Sequence, residues 1–80
     1  MPGFKLYGMY DTEYIKCPVG DVAKKAAAEM TAKLRQHLCD AEVEAIPHVP
    51  ENQPQLVIGE AATEDEGIAL AWEWVNATWE

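Results

Sequence analysis

Several kinds of residue and segment are scarce in this 80-residue chain, and each scarcity excludes a class of protein. Two cysteines are too few for the disulfide scaffold of a small secreted protein, so they indicate a reducing cytoplasm. No apolar run approaches the roughly 18 residues that a membrane span needs. Lys5, Asp11 and Glu13 interrupt the region where a signal peptide would lie. We therefore expect a cytoplasmic protein with no membrane segment.

Positive charge is also scarce, and it is unevenly distributed along the chain. The net charge is −8, all six basic residues lie in residues 1–39, and residues 40–80 hold ten acids with no Lys or Arg. Such an acidic surface repels phosphate backbones, so we do not expect a nucleic-acid partner. The apolar fraction of 49% is nevertheless sufficient for one small folded domain over residues 1–80.

Apolar periodicity predicts five elements in the order β-α-β-β-α. Strands are predicted at residues 4–10, 41–46 and 55–58, helices at 19–38 and 64–78, and a polar loop at 11–16. A right-handed parallel β-α-β unit is expected, and the short connection after it predicts that the third strand runs antiparallel to the second. The predicted fold is therefore α/β, with a three-stranded mixed sheet and two helices on one face.

Two apolar stripes and one capping pattern support the predicted helices. Thr63 stands three residues before Glu66, which is the spacing of a capping box at the start of the last helix. Trp74 lies off its stripe and is expected to be partly exposed. The residues predicted to be buried are Ala23, Ala26, Ala27, Met30, Leu34 and Leu38 in the first helix, and Ile68, Ala71, Trp72, Val75 and Trp79 in the second.

Cys17 is a candidate for chemistry because the first helix is predicted to begin immediately after it. The first N–H groups of a helix have no internal partner and carry partial positive charge, which favours a thiolate. Pro18 suits the first helical position, and Lys16, Lys24 and Lys25 add positive charge nearby. The position thus predicts a thiol with a lowered pKa. The alternative is an inert, buried cysteine, which is common in intracellular domains.

Two short blocks of sequence suggest a family. Residues 4–8 read Phe-Lys-Leu-Tyr-Gly and lead through a loop to Cys-Pro-Val-Gly at residues 17–20. Residues 53–59 read Gln-Pro-Gln-Leu-Val-Ile-Gly. Together these blocks resemble the glutaredoxin family, in particular the short glutaredoxin-like thioredoxins of large tailed bacteriophages. The first block matches its Cys-Pro-x-Cys motif, and the second is similar to its cis-proline segment. The resemblance implies a trimmed thioredoxin-like fold.

The resemblance also implies roles for individual residues. Cys17 would be the nucleophile in thiol–disulfide exchange, and Pro54 would be a cis-proline beside it. Glutathione would serve as co-substrate, with no other cofactor and no metal, and the partner would be glutathione or a protein disulfide such as ribonucleotide reductase. The substrate-binding residues implied are Lys16, Pro18, Gln53, Pro54, Thr63 and Asp65.

One departure from the motif leaves a second function open. Gly20 replaces the second cysteine, and Cys39 would lie about 27–30 Å from Cys17 across the first helix, beyond the roughly 7 Å Cα separation of a disulfide. The implied chemistry is therefore monothiol exchange. The alternative is a redox-inactive adaptor that kept the fold and binds a host or phage protein. Gly20, the absence of the family's middle helix, and Trp74 favour this alternative.

The sequence contains residues for two further kinds of site. A tautomerase-like enzyme could use Pro2 as an N-terminal amine, but Arg35 is the only arginine available to such a site. His37, Cys39 and His48 are potential metal ligands. Because residues two apart on a helix do not share a face, no metal site is expected from them.

Overall fold

A computed structural model of the chain describes residues 1–8 and 11–78. In these residues a four-stranded mixed sheet carries two helices on one face, which agrees with the predicted α/β class. No helix among them is long and apolar enough to cross a membrane. The elements are β1 (Gly3–Tyr7), β2 (Thr12–Lys16), α1 (Asp21–Arg35), β3 (Glu42–Ile46), a 3-10 turn (Pro54–Leu56), β4 (Val57–Glu60) and α2 (Glu64–Thr78).

The strand β2 corrects the sequence-based prediction of a loop at residues 11–16. It forms an antiparallel hairpin with β1, and its Tyr14 and Ile15 are buried. Threonine, tyrosine and isoleucine favour strands, but two consecutive buried residues between polar ones hide the alternation that predicts a strand. The sheet therefore has four strands rather than three. Met9 and Tyr10, which were predicted to end the first strand, lie outside the described residues.

The extra strand also changes the direction of the others. The order across the sheet is β3-β1-β2-β4, with β3 antiparallel to β1 and β4 parallel to β2. The predicted parallel β-α-β unit is wrong, because β2 reverses the chain before α1 begins. The prediction that the last strand runs antiparallel to the strand before it is also wrong, because β3 and β4 both run in the direction of β2.

The core lies between the two helices and one face of the sheet. In α1 five of the six predicted positions are buried, and the sixth, Leu38, follows the helix and is partly buried. The bounds of α2 agree with the prediction, and the Thr63 hydroxyl accepts a hydrogen bond from the Glu66 N–H at 3.2 Å, which confirms the cap. Ile68 and Trp72 are only partly buried, and Trp79 lies outside the described residues.

Candidate functional site

Cys17 lies in the connection between β2 and α1, four residues before the helix begins at Asp21. Its N–H donates to the Pro2 carbonyl oxygen at 3.0 Å, and its side chain has no exposed surface. Cys17 therefore follows a strand and precedes the helix, as predicted, but the helix begins at Asp21 and not at the predicted residue 19. Gly20, with an extended backbone, is the N-cap of α1, and Pro18 precedes the helix instead of opening it.

The helix α2 covers the Cys17 thiol directly. A Cβ built on Gly67 of α2 would lie 2.5 Å from the Cys17 Cβ and closer still to its Sγ. Real Cβ contacts of that length do not occur, so only glycine permits α2 to approach Cys17 this closely. A disulfide or a glutathione molecule cannot reach the sulfur while α2 is in this place.

The N-terminus of α1 is already occupied by a carboxylate. Glu64, the first residue of α2, accepts hydrogen bonds through Oε2 from the N–H groups of Gly20, at 2.5 Å, and Ala23, at 3.1 Å. These are donors of the kind that a Cys17 thiolate would have needed. Burial raises the pKa of the Cys17 thiol, and the negative charge of Glu64 raises it further. The predicted lowering of the Cys17 pKa is therefore wrong.

Pro54 has a different role from the one that the resemblance implies. No cis peptide bond occurs among the described residues, so the prediction of a cis-proline is wrong. Pro54 opens the 3-10 turn, where its fixed φ and missing N–H are suitable. The Gln53 carbonyl oxygen accepts the Leu56 N–H at 3.0 Å, which closes that turn instead of pairing with a ligand.

Pro54 and Cys17 also lie toward opposite ends of the paired strands. In the parallel pair, Val57 is opposite Tyr14, and Glu60 is opposite Lys16. Pro54 precedes the first of these pairs and Cys17 follows the last, so the structure does not bring the two together. The strand that was predicted to stop before Gly59 in fact continues to Glu60.

The remaining predicted residues lie near the start of α2 or at the end of β2. Pro18, Thr63 and Asp65 are exposed, whereas Lys16 is half-buried and its carbonyl oxygen accepts the Ala61 N–H at 2.8 Å. The Glu64 bridge brings the start of α2 to the Cys17 segment. Residues 1–8 and 11–78 contain no group of three His, Cys, Asp or Glu side chains placed to hold a metal ion.

The two edges of the sheet differ in their hydrogen bonds, and no motif in the sequence predicts this difference. At the β3 edge, the Thr31 hydroxyl of α1 lies 2.9 Å from both the N and the O of Val43 and accepts the Val43 N–H. Arg35 Nε donates to the Ala41 carbonyl oxygen at 3.1 Å. Side chains of α1 therefore occupy outward backbone groups at Ala41 and Val43, at the start of this edge, and covering edge groups is one way that proteins protect an edge strand.

The β4 edge has no such cover. Among the described residues, no side chain or further strand forms a hydrogen bond to the outer side of β4. Ile58 is 47% exposed, which is unusual for an isoleucine in a strand. Beside it is a groove of about 240 Å³, called here the β4 groove, lined by Ile15, Ile58, Gly59, Leu70, Glu73 and Trp74.

The signals that would have revealed these features are not local in the sequence. The Glu64 bridge joins residues 44 apart, and the groove joins β2, β4 and α2. Ile58 could have been noted as an apolar residue next to Gly59, but its exposure depends on the order of the strands. Comparisons with known proteins add nothing to this description, since no family model, no curated protein and no solved structure matches the chain.

Proposed function

We propose that this chain is a redox-inactive binding domain that engages a partner protein through the β4 edge. The observation that carries the proposal is the contrast between the two edges. Thr31 bonds to the outer backbone of Val43 in β3, and Arg35 to Ala41 just before that strand, whereas no described residue bonds to the outer edge of β4, which includes the exposed Ile58. An unpaired edge with an apolar side chain is a ready template for another strand, and partner recognition by strand addition uses such edges.

The surroundings of Cys17 support the redox-inactive part of the proposal. Exchange requires a thiolate and access to the sulfur. Here the side chain has no exposed surface, its pKa is raised, and Glu64 accepts the N–H groups that would stabilise a thiolate. Thiol–disulfide exchange with glutathione or ribonucleotide reductase stays a prediction of the glutaredoxin resemblance. It would require α2 to move away from Cys17.

The test compares the rates at which the two thiols of the folded chain react with a disulfide reagent that releases a coloured product. Cys39 is exposed and is expected to react at once, whereas Cys17 is expected to react only when the chain opens. A domain of this size is stable by at least about 4 kcal/mol, so Cys17 should react roughly 10³-fold more slowly than Cys39. Cys17→Ser and Cys39→Ser variants assign the two phases.

The same samples are then assayed for reduction of a glutathione mixed disulfide. We expect no turnover above the uncatalysed rate. Turnover that survives in Cys39→Ser and is lost in Cys17→Ser would overturn the proposal, because it would require a reachable Cys17 thiolate in the native fold.

A further inference from the structure

We infer that the β4 edge takes an extended basic segment of a partner protein, which adds a fifth strand and inserts one aliphatic side chain into the β4 groove. The inference rests on the proposed function and names the chemistry of the partner. Three independent features support it: the backbone direction in β4, the shape of the groove and the charge around it.

The backbone of β4 offers hydrogen bonds to a new strand at Glu60. The Ala61 N–H donates inward to the Lys16 carbonyl oxygen at 2.8 Å, and Gly59 pairs inward with Ile15. Because the backbone groups of successive strand residues face opposite sides, the N–H and C=O of Glu60 face outward. No group among the described residues pairs with them. A strand laid along this edge would satisfy them.

The β4 groove accepts an apolar side chain from such a strand. Its volume is about 240 Å³ and its lining is mainly apolar, which suits an aliphatic side chain. Gly59 keeps it open, since a Cβ there would lie 3.4 Å from Leu70 Cδ1. The Trp74 Nε1 donates to Glu13 Oε1 at 3.1 Å, which holds the ring in place as one wall. Aliphatic contact is the main attraction that this lining offers.

The charge around the groove favours particular residues on either side of the aliphatic residue in the bound segment. Glu73 lines the groove, and Glu60 lies in the edge strand with Lys16 of β2 as its register partner; residues 40–80 contain ten acids without a Lys or Arg. A segment with Lys or Arg on both sides of its aliphatic residue matches this field. A second copy of the chain would bring two net charges of −8 together, so repulsion disfavours it as the occupant.

The probe is the synthetic peptide Lys-Val-Lys-Leu-Arg-Val-Lys, added to the full chain at low ionic strength. Binding is followed by the amide chemical shifts of the protein. We expect the largest shifts at residues 57–60 and in the part of α2 around Trp74, and weaker binding as salt is added. An acidic twin with Glu at every basic position should not bind, and a twin with Ala for Leu should bind less tightly.

Two variant pairs test the backbone and the groove separately. Glu60→Pro removes the outward N–H, and Glu60→Gln keeps it while removing the charge. We expect about tenfold weaker binding for the first, and about threefold at most for the second. Gly59→Ala partly fills the groove without backbone strain, because no glycine here has positive φ. This variant should bind the Leu peptide about fivefold more weakly than the wild-type chain does, and should bind the Ala twin with nearly unchanged affinity.

Several results would overturn the inference. They are no binding of the basic peptide, equal binding of its acidic twin, shifts confined to another surface, and dimerisation of the chain that Glu60→Pro abolishes. If Glu60→Pro does not fold, the Gly59→Ala comparison decides. The thiol assay separates this inference from the proposed function. If Cys17 is unreactive and no peptide binds at β4, only the inference is overturned. If Cys17 turns over a glutathione mixed disulfide, the proposed function is overturned.

Discussion

Replacing Gly67 by alanine tests the packing on which the burial of Cys17 depends. In an ordinary helix position this change is stabilising by about 1 kcal/mol, because alanine has the higher helix propensity. At Gly67 the new methyl group would meet the Cys17 Cβ at 2.5 Å and its Sγ at a shorter distance. Neither atom is the far end of a long flexible side chain, so α2 itself must move.

The magnitude follows from these two opposing terms. Overpacking a close-packed site costs about 1–3 kcal/mol, and a double contact this short belongs at the upper end. The higher helix propensity of alanine offsets about 1 kcal/mol of this cost, so we expect the free energy of unfolding to fall by about 2 kcal/mol. For a domain of this size that corresponds to a fall in Tm of about 8–16 °C.

The assay is thermal and denaturant unfolding followed by circular dichroism. Ala69→Gly, at an exposed position of the same helix, is the matched control and should cost about 1 kcal/mol through propensity alone. Cys17→Gly removes the Cβ and Sγ atoms that the new methyl group would meet. The double variant Cys17→Gly/Gly67→Ala should therefore be more stable, by about 0.5–3 kcal/mol, than the sum of the two single changes predicts. If Gly67→Ala instead raises stability by about 1 kcal/mol, α2 does not lie against Cys17, and the argument that its thiol is inaccessible fails.

Two further predictions concern the thiol and the covered edge. Because the folded-state pKa of Cys17 is raised, its stabilising contribution is complete below the unfolded pKa of about 8.5 and is lost as pH rises above it. Between pH 7 and pH 10, the free energy of unfolding of the wild-type chain should therefore fall by up to about 1.4 kcal/mol per pH unit more than that of Cys17→Ala. The free energy of unfolding of Cys39→Ser should fall as the wild type's does. Equal losses in all three chains would contradict the raised pKa of Cys17. Thr31→Val leaves the Val43 N–H without its acceptor and should cost about 1–2 kcal/mol in thermal unfolding, with faster amide exchange at Val43. Thr31→Ser, which keeps the hydroxyl, should lose less, and equal losses would count against the hydroxyl as the edge cover.

The sequence by itself determined the helices and one edge strand. The stripe from Ala23 to Leu34 and the bounds of α2 could be predicted because a helix is formed by residues three and four apart, and the Thr63 cap lies next to the helix that it caps. The strand β3 could be predicted because Val43 and Ala45 alternate with exposed glutamates.

Only the tertiary structure decided the strand β2 and the environment of Cys17. A strand is stable only through its neighbours, and β2 lies between β1 and β4 in spite of its polar residues. The chemistry of the thiol depends on Gly67 and Glu64, which are remote in sequence and arrive with α2. Exposure, charge environment and an unpaired edge arise from the order in which elements pack, and no local pattern of residues encodes that order.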